Sequence, residues 1–175
     1  MNTVFSLMDV FSMKQIAASH APYALSPVPG PKASLAKSWT TKFFGVNVVP
    51  DLGILTTSIA SMTDTPIIQR SWGLLGGSDF YGPNFTFSEY MKSRNYLTAT
   101  LFHFGLVSLS LLLAIPFLRT FARKFVYQPG EGQTKEEAMK DRVEYRGIAT
   151  PDIGTPKPPR AFCRASYQGS LYACK

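Results

Sequence analysis

The sequence predicts an α+β chain that carries one long apolar, membrane-associated helix. Three observations lead there. Residues 96–118, YLTATLFHFGLVSLSLLLAIPFL, form an uncharged run of 23 residues, with Lys92 and Arg94 before it and Arg119, Arg123 and Lys124 just after. A helix needs about 20 mainly apolar residues to cross a bilayer core, and basic side chains at its ends suit lipid headgroups. Elsewhere, helix-start signatures such as Thr134-Lys135-Glu136-Glu137 are interspersed with stretches that alternate like strands, as in 161–167.

Taken in order, Val4, Leu7, Met8 and Phe11 share one helical face, and Ser12 is placed to cap a second short helix through Ala18. SPVPGPK, from Ser26 to Lys32, is a turn that no helix survives. Phe43 to Val49 is β-prone and ends at Pro50-Asp51. Thr63-Asp64-Thr65-Pro66 reads as a helix start, with Thr65 as cap and Pro66 in the first position; the helix runs through IIQRSWGLL and stops at Gly76-Gly77. Phe85 to Ser88 alternates like a short strand.

The apolar run follows. Its length exceeds the roughly 10 to 14 apolar residues of a buried segment, which favours membrane insertion or deep interfacial seating over a soluble core helix. Thr98, Thr100, His103, Ser108 and Ser110 make its first half less apolar, and Pro116 is expected to disturb the last turn. The basic excess beyond it favours a cytosolic C-terminal flank. A short capped helix then begins at Thr134, a strand is expected over Arg142–Ile148, TPDIGTPKPPR is an exposed connection, and a last strand covers Ala161–Tyr167. No internal repeat is present.

The net charge is +7, placed unevenly: residues 1–88 carry five Lys/Arg and four Asp/Glu, residues 89–175 thirteen and seven. Positive charge therefore brackets the apolar run, as anionic lipid requires. No basic platform interleaved with aromatics is present, so nucleic acid is not an expected partner. Cys163 and Cys174 are not spaced as metal ligands and are read as reduced thiols on a cytosol-facing segment. Asn84-Phe85-Thr86 matches the glycosylation triplet, a common coincidence.

Chemistry-bearing motifs are few. Gly73-Leu74-Leu75-Gly76-Gly77 ends a helix, whereas a dinucleotide loop must open one. Pro129-Gly130-Glu131-Gly132-Gln133-Thr134 lacks the G-K-[ST] ending of a phosphate loop and reads as a turn. His103 is either a functional intramembrane group or a neutral side chain bonded to a neighbouring element, and the second reading is preferred. His20 has no evident partner. Asp64 and Arg70 are candidate ligand contacts, against the simpler reading that Asp64 favours the helix N-terminus and Arg70 is solvated or paired. Catalytic residues stay unassigned; no cofactor-binding or metal-ligating residue is assigned.

The stretches NTVFSLMDVFS, ALSPVPGPKAS, TDTPIIQRSWGLL, YGPNFTFSEYMKSRNYLTA and FVYQPGEGQTKEEAMKDRVEYRGIATPD resemble the C-terminal part of saccharopine dehydrogenase-like oxidoreductases, particularly fungal members related to trans-acting enoyl reductases. The last stretch is the most specific, and the resemblance covers Asn2 to about Ala173. It implies a partial C-terminal α+β domain for substrate binding or dimerisation over 1–94, an apolar helix with a basic flank over 95–126, and a truncated remainder of the same domain over 127–175. It also implies an N-terminal Rossmann domain that binds NAD(P), for which this sequence has no matching positions. The expectation is a membrane-associated fragment, inactive alone, from a family linked to lipid and glycolipid metabolism. The implied partners are membrane lipid, a second copy or a full-length paralogue. The implied location is a lipid droplet, endoplasmic reticulum or mitochondrial membrane. The alternative is a small non-enzymatic membrane protein or adaptor.

Overall fold

The computed structural model describes residues 13–31, 38–122, 124, 134–153 and 158–169. The fold is mixed, with helices and antiparallel strands in both of the compact units into which the chain divides, Met1–Val126 and Tyr127–Lys175. The expected helix over Val4–Phe11 and the Pro129–Gln133 turn lie outside the described residues.

In the first unit, α1 (Met13–Ser19) leads into the turn region 20–31, followed by α2 (Trp39–Phe44). The strand expected from Phe43 begins only at Asn47. Trp39 and Phe43, four apart, stack at 5.6 Å, and Gly45 closes the helix at φ +67°, a conformation that glycine adopts without a Cβ penalty. The valine-rich residues that follow then extend as β1 (Asn47–Val49), which pairs antiparallel with β2 (Gly53–Thr57) across a turn held by Leu52 N–H donating to Val49 O. The central strand of this sheet is β2. Its other neighbour is β3 (Tyr90–Lys92), in register Leu55↔Lys92, Thr56↔Met91 and Thr57↔Tyr90. The strand expected at Phe85–Ser88 is thus displaced to Tyr90–Lys92, where partner groups on β2 are available.

Helix α3 (Ser61–Leu74) starts four residues before the expected Thr65 cap and holds Pro66 inside it. The turn before the proline closes on its own, with Met62 N–H donating to Ile59 O and the Thr63 and Asp64 N–H groups both donating to Ala60 O. Pro66 therefore removes one bond from a helix already nucleated. Past Leu74 the chain turns through Gly76 (φ +92°) and Gly77 (φ +60°), as expected, and forms one turn, α4 (Ser78–Tyr81).

Helix α5 (Tyr96–Ala114) is capped reciprocally: Asn95 Oδ1 accepts from Thr98 N–H at 2.8 Å, and Thr98 Oγ1 accepts from Asn95 N–H at 3.3 Å. It ends where Ile115 turns extended ahead of Pro116, and α6 (Pro116–Ala122) continues the chain. The proline thus divides the uncharged run into two helices. The core of this unit gathers Val46, Leu55, Trp72 and Ala99.

In the second unit, α7 (Lys135–Lys140) opens with the expected box, Thr134 Oγ1 accepting from Glu137 N–H and Glu137 Oε2 from Thr134 N–H. Two eight-residue strands, β4 (Arg142–Ala149) and β5 (Ala161–Gln168), pair antiparallel in full register from Arg142↔Gln168 to Ala149↔Ala161.

Candidate functional site

A core helix and a lipid-facing helix share a composition but differ in burial. Only 6% of the most apolar stretch of α5 is buried, and Ala99 is its single buried residue. Among the described residues α5 is the one helix long and apolar enough to cross a membrane. Leu101, Leu109, Leu111 and Leu112 are exposed, and so are Phe117 and Phe121 on α6; Leu111 is 67% exposed and Phe117 78%. Nineteen residues give α5 a length of about 28 Å, close to a bilayer hydrocarbon core.

Its attachment to the sheet is confined to the first two turns. Ala99 packs with no exposed surface, and the buried Thr56 Oγ1 donates to Ala99 O at 2.8 Å. One turn on, His103 Nδ1 lies 2.8 Å from Thr57 Oγ1, sharing a hydrogen bond. The imidazole also fills the space a Cβ on Gly45 would need, so the glycine serves both the left-handed turn and the close approach of this ring. His103 is thus bonded to a neighbouring element, as the preferred reading has it. The sheet holds α5 by two threonines and leaves the remainder uncovered.

Beside this junction stands an aromatic group that sequence reasoning missed. Trp39 stacks on Phe43 and meets Phe44 edge-on at 5.7 Å; Phe43 in turn meets Phe44 at 5.2 Å and Phe104 of α5 at 6.4 Å. Trp39 and Phe43 are nonetheless largely exposed. Exposed aromatics beside the end of an apolar helix are what a membrane–water interface selects. The spacing Trp39-x-x-x-Phe43-Phe44 carries that signal once a helix is recognised there.

The basic flank is only partly at the surface. Lys124 is exposed, as are Lys92 and Arg94, whereas Arg119 is buried at 8% exposure on α6. Arg119 therefore belongs to the packing of the unit, contrary to its expected place among headgroups, and Arg123 lies outside the described residues.

The other singled-out residues are scattered. Asp64 sits in the first turn of α3, near Glu89, whose carboxyl accepts from Ser58 Oγ at 2.9 Å. Burial raises the Glu89 pKa above the usual carboxylate range; the Ser58 bond opposes this and the Asp64 carboxylate adds to it. Arg70 reaches the other way and donates from Nη1 to Leu25 O at 3.3 Å. The two do not converge on one ligand. His20 Nδ1 is 2.8 Å from Ile16 O. Gly73 lets α3 approach Ser26 and Pro27, a packing role with no phosphate geometry. Alongside, Tyr23 pins its loop to α3: its N–H donates to Gln69 Oε1, its hydroxyl to Phe85 O, and its ring meets Trp72 edge-on. Burial raises the Tyr23 pKa.

In the second unit the register sorts the ribbon into two faces. Val143, Tyr145, Gly147 and Ala149 stand opposite Tyr167, Ala165, Cys163 and Ala161, a face without a charge; Arg142, Glu144, Arg146, Arg164 and Gln168 lie on the other. Every residue of β5 is exposed. Cys163 is an exposed free thiol lying over Gly147, and Cys174 lies outside the described residues. On the charged face Glu144 pairs with Arg146 and with Arg164, and these two, Arg146 first, hold its carboxyl below the usual range. No group of three metal-ligating side chains occurs among the described residues. Comparison with protein-family models, with curated proteins and with solved structures finds no match.

Proposed function

We propose that this chain is the membrane-seated part of a saccharopine dehydrogenase-like, NAD(P)-dependent oxidoreductase of lipid metabolism, without hydride-transfer activity by itself. The observation that carries the membrane half is the uncovered α5, held to the sheet by Thr56 and Thr57 and open to lipid along the rest of its length. The oxidoreductase half rests on the resemblance of the five stretches, the last of which follows the apolar helix directly. Hydride chemistry is assigned to a dinucleotide-binding domain, since Gly73–Gly77 ends a helix instead of opening one and Gly130-Glu131-Gly132 lacks the G-K-[ST] ending of a phosphate loop. The seat is a lipid droplet, endoplasmic reticulum or mitochondrial membrane, with the second unit facing the cytosol.

A second reading, a non-enzymatic adaptor that pairs with full-length paralogues, is favoured by β5, exposed along all eight residues. One experiment separates the two. An antibody against residues 129–146 is used on membranes from the source cells. A band well above the size of 175 residues supports the oxidoreductase; a band at that size, from a product that binds no nicotinamide dinucleotide, supports the adaptor.

A further inference from the structure

We propose that the cleft bounded by α2, β1 and the first turns of α5 holds the headgroup of a neutral, hydroxyl-bearing lipid such as a monoacylglycerol, with the acyl chain laid along α5. The inference rests on the membrane seating proposed above and adds a ligand to it. The cleft has a volume of about 490 Å³, within the usual range of small-molecule sites. Its polar lining comes from Ser38, Thr40, Thr41, Asn47, Tyr96 and Thr100, beside the apolar Phe44, Val46 and Val48, with no charged side chain among the described lining residues. Among these residues a phosphate or carboxylate headgroup finds no cation and an ammonium finds no carboxylate, whereas hydroxyls find both donors and acceptors.

The state of those polar groups narrows the site. Ser38 and Thr40 bond to each other at 3.0 Å, and Thr41 donates to Val46 O at 2.9 Å. The Asn47 carboxamide and the Tyr96 and Thr100 hydroxyls have no side-chain hydrogen bond among the described residues, so they are the groups free to read a ligand. From Thr100 the positions Phe104, Val107 and Leu111 follow at steps of four, three and four, which puts them on one side of the helix. All three are exposed and apolar, and they lead from the cleft along the uncovered part of α5. A largely apolar cleft edged by hydroxyl and amide groups, continued by the apolar track, matches an amphiphile with one uncharged end.

The test uses the full chain in phosphatidylcholine nanodiscs with a monoacylglycerol carrying a photoreactive diazirine in its acyl chain, and adducts are mapped by peptide mass spectrometry. Labelling is expected at residues 100–111, displaced by excess 1-monooleoylglycerol and not by oleate or phosphatidylserine. Thr100→Val and Asn47→Leu should each weaken displaceable labelling about fivefold, the effect of one lost neutral hydrogen bond, and Thr100→Ser should retain it. Labelling that spreads evenly over both helices, survives the competitor, or yields equally to oleate overturns the site while leaving the membrane seating intact. A chain that fails to enter nanodiscs overturns the seating, and the site falls with it.

Discussion

Replacing Leu111 and Leu112 with Asp should release the chain from membranes. The sheet holds only the first two turns of α5, so the uncovered apolar surface runs from Phe104 to Phe121, and these two leucines lie near its middle. Both are exposed within the protein, at 67% and 50%, and no core contact is lost with them. A charged side chain at the centre of a lipid-seated helix costs about 2.5–3.5 kcal/mol, so the pair costs roughly 5–7 kcal/mol, or about four orders of magnitude in partition. The assay is flotation with protein-free phosphatidylcholine vesicles on a density gradient, which removes any protein partner from consideration. Wild type should rise with the vesicles and the double variant should stay at the bottom. Met139→Asp, an exposed position on α7, serves as the control and should float. If the double variant floats as well as wild type, the apolar surface of α5 does not face lipid and the reasoning fails.

Three further outcomes follow from particular contacts. Gly45→Ala places a Cβ at φ +67° against the His103 ring, and should destabilise the first unit by about 1–3 kcal/mol in a denaturant titration in detergent. Glu89→Gln should raise the Tm at pH 7. The folded-state pKa of Glu89 is raised, so its contribution is favourable below the ordinary carboxylate pKa and is lost as pH rises through the folded value; the gain from Gln should vanish near pH 4. Glu144 has the opposite sign: its lowered pKa makes its ion pairs with Arg146 and Arg164 favourable at neutral pH and lost as pH falls through that lowered value. Amide exchange of β4 and β5 should therefore become less protected in acid in wild type and show no such step in Glu144→Gln.

The parts legible in the sequence were those determined by neighbours in the chain. The Thr134–Glu137 box and the strands expected over 142–148 and 161–167 rest on local rules and formed where expected, while Pro116, expected to disturb the last turn of the run, ended α5 at Ala114, short of Leu118. Elements made by distant partners were not legible. Gly53-Ile54-Leu55-Thr56-Thr57 has no clear alternation, and becomes the central strand because β1 and β3 pair with its two edges. Thr56 and Thr57 look like ordinary polar residues until Ala99 and His103 arrive from more than forty positions away. Arg119 reads as a flanking cation and is buried by tertiary packing. The aromatic group on α2 was hidden behind a strand assignment, because Phe43 and Phe44 favour β structure as strongly as the valines after them.

The most direct test is the depth of α5 in a bilayer. A nitroxide is attached at Leu111→Cys in a chain carrying Cys163→Ser and Cys174→Ser, reconstituted in phosphatidylcholine vesicles, with Lys92→Cys and Lys124→Cys as reference sites. The expected result is high oxygen and low aqueous-nickel accessibility at 111, with the reverse at 92 and 124. Strong nickel accessibility at 111 would place the uncovered helix in water and contradict the membrane seating on which the proposed function stands.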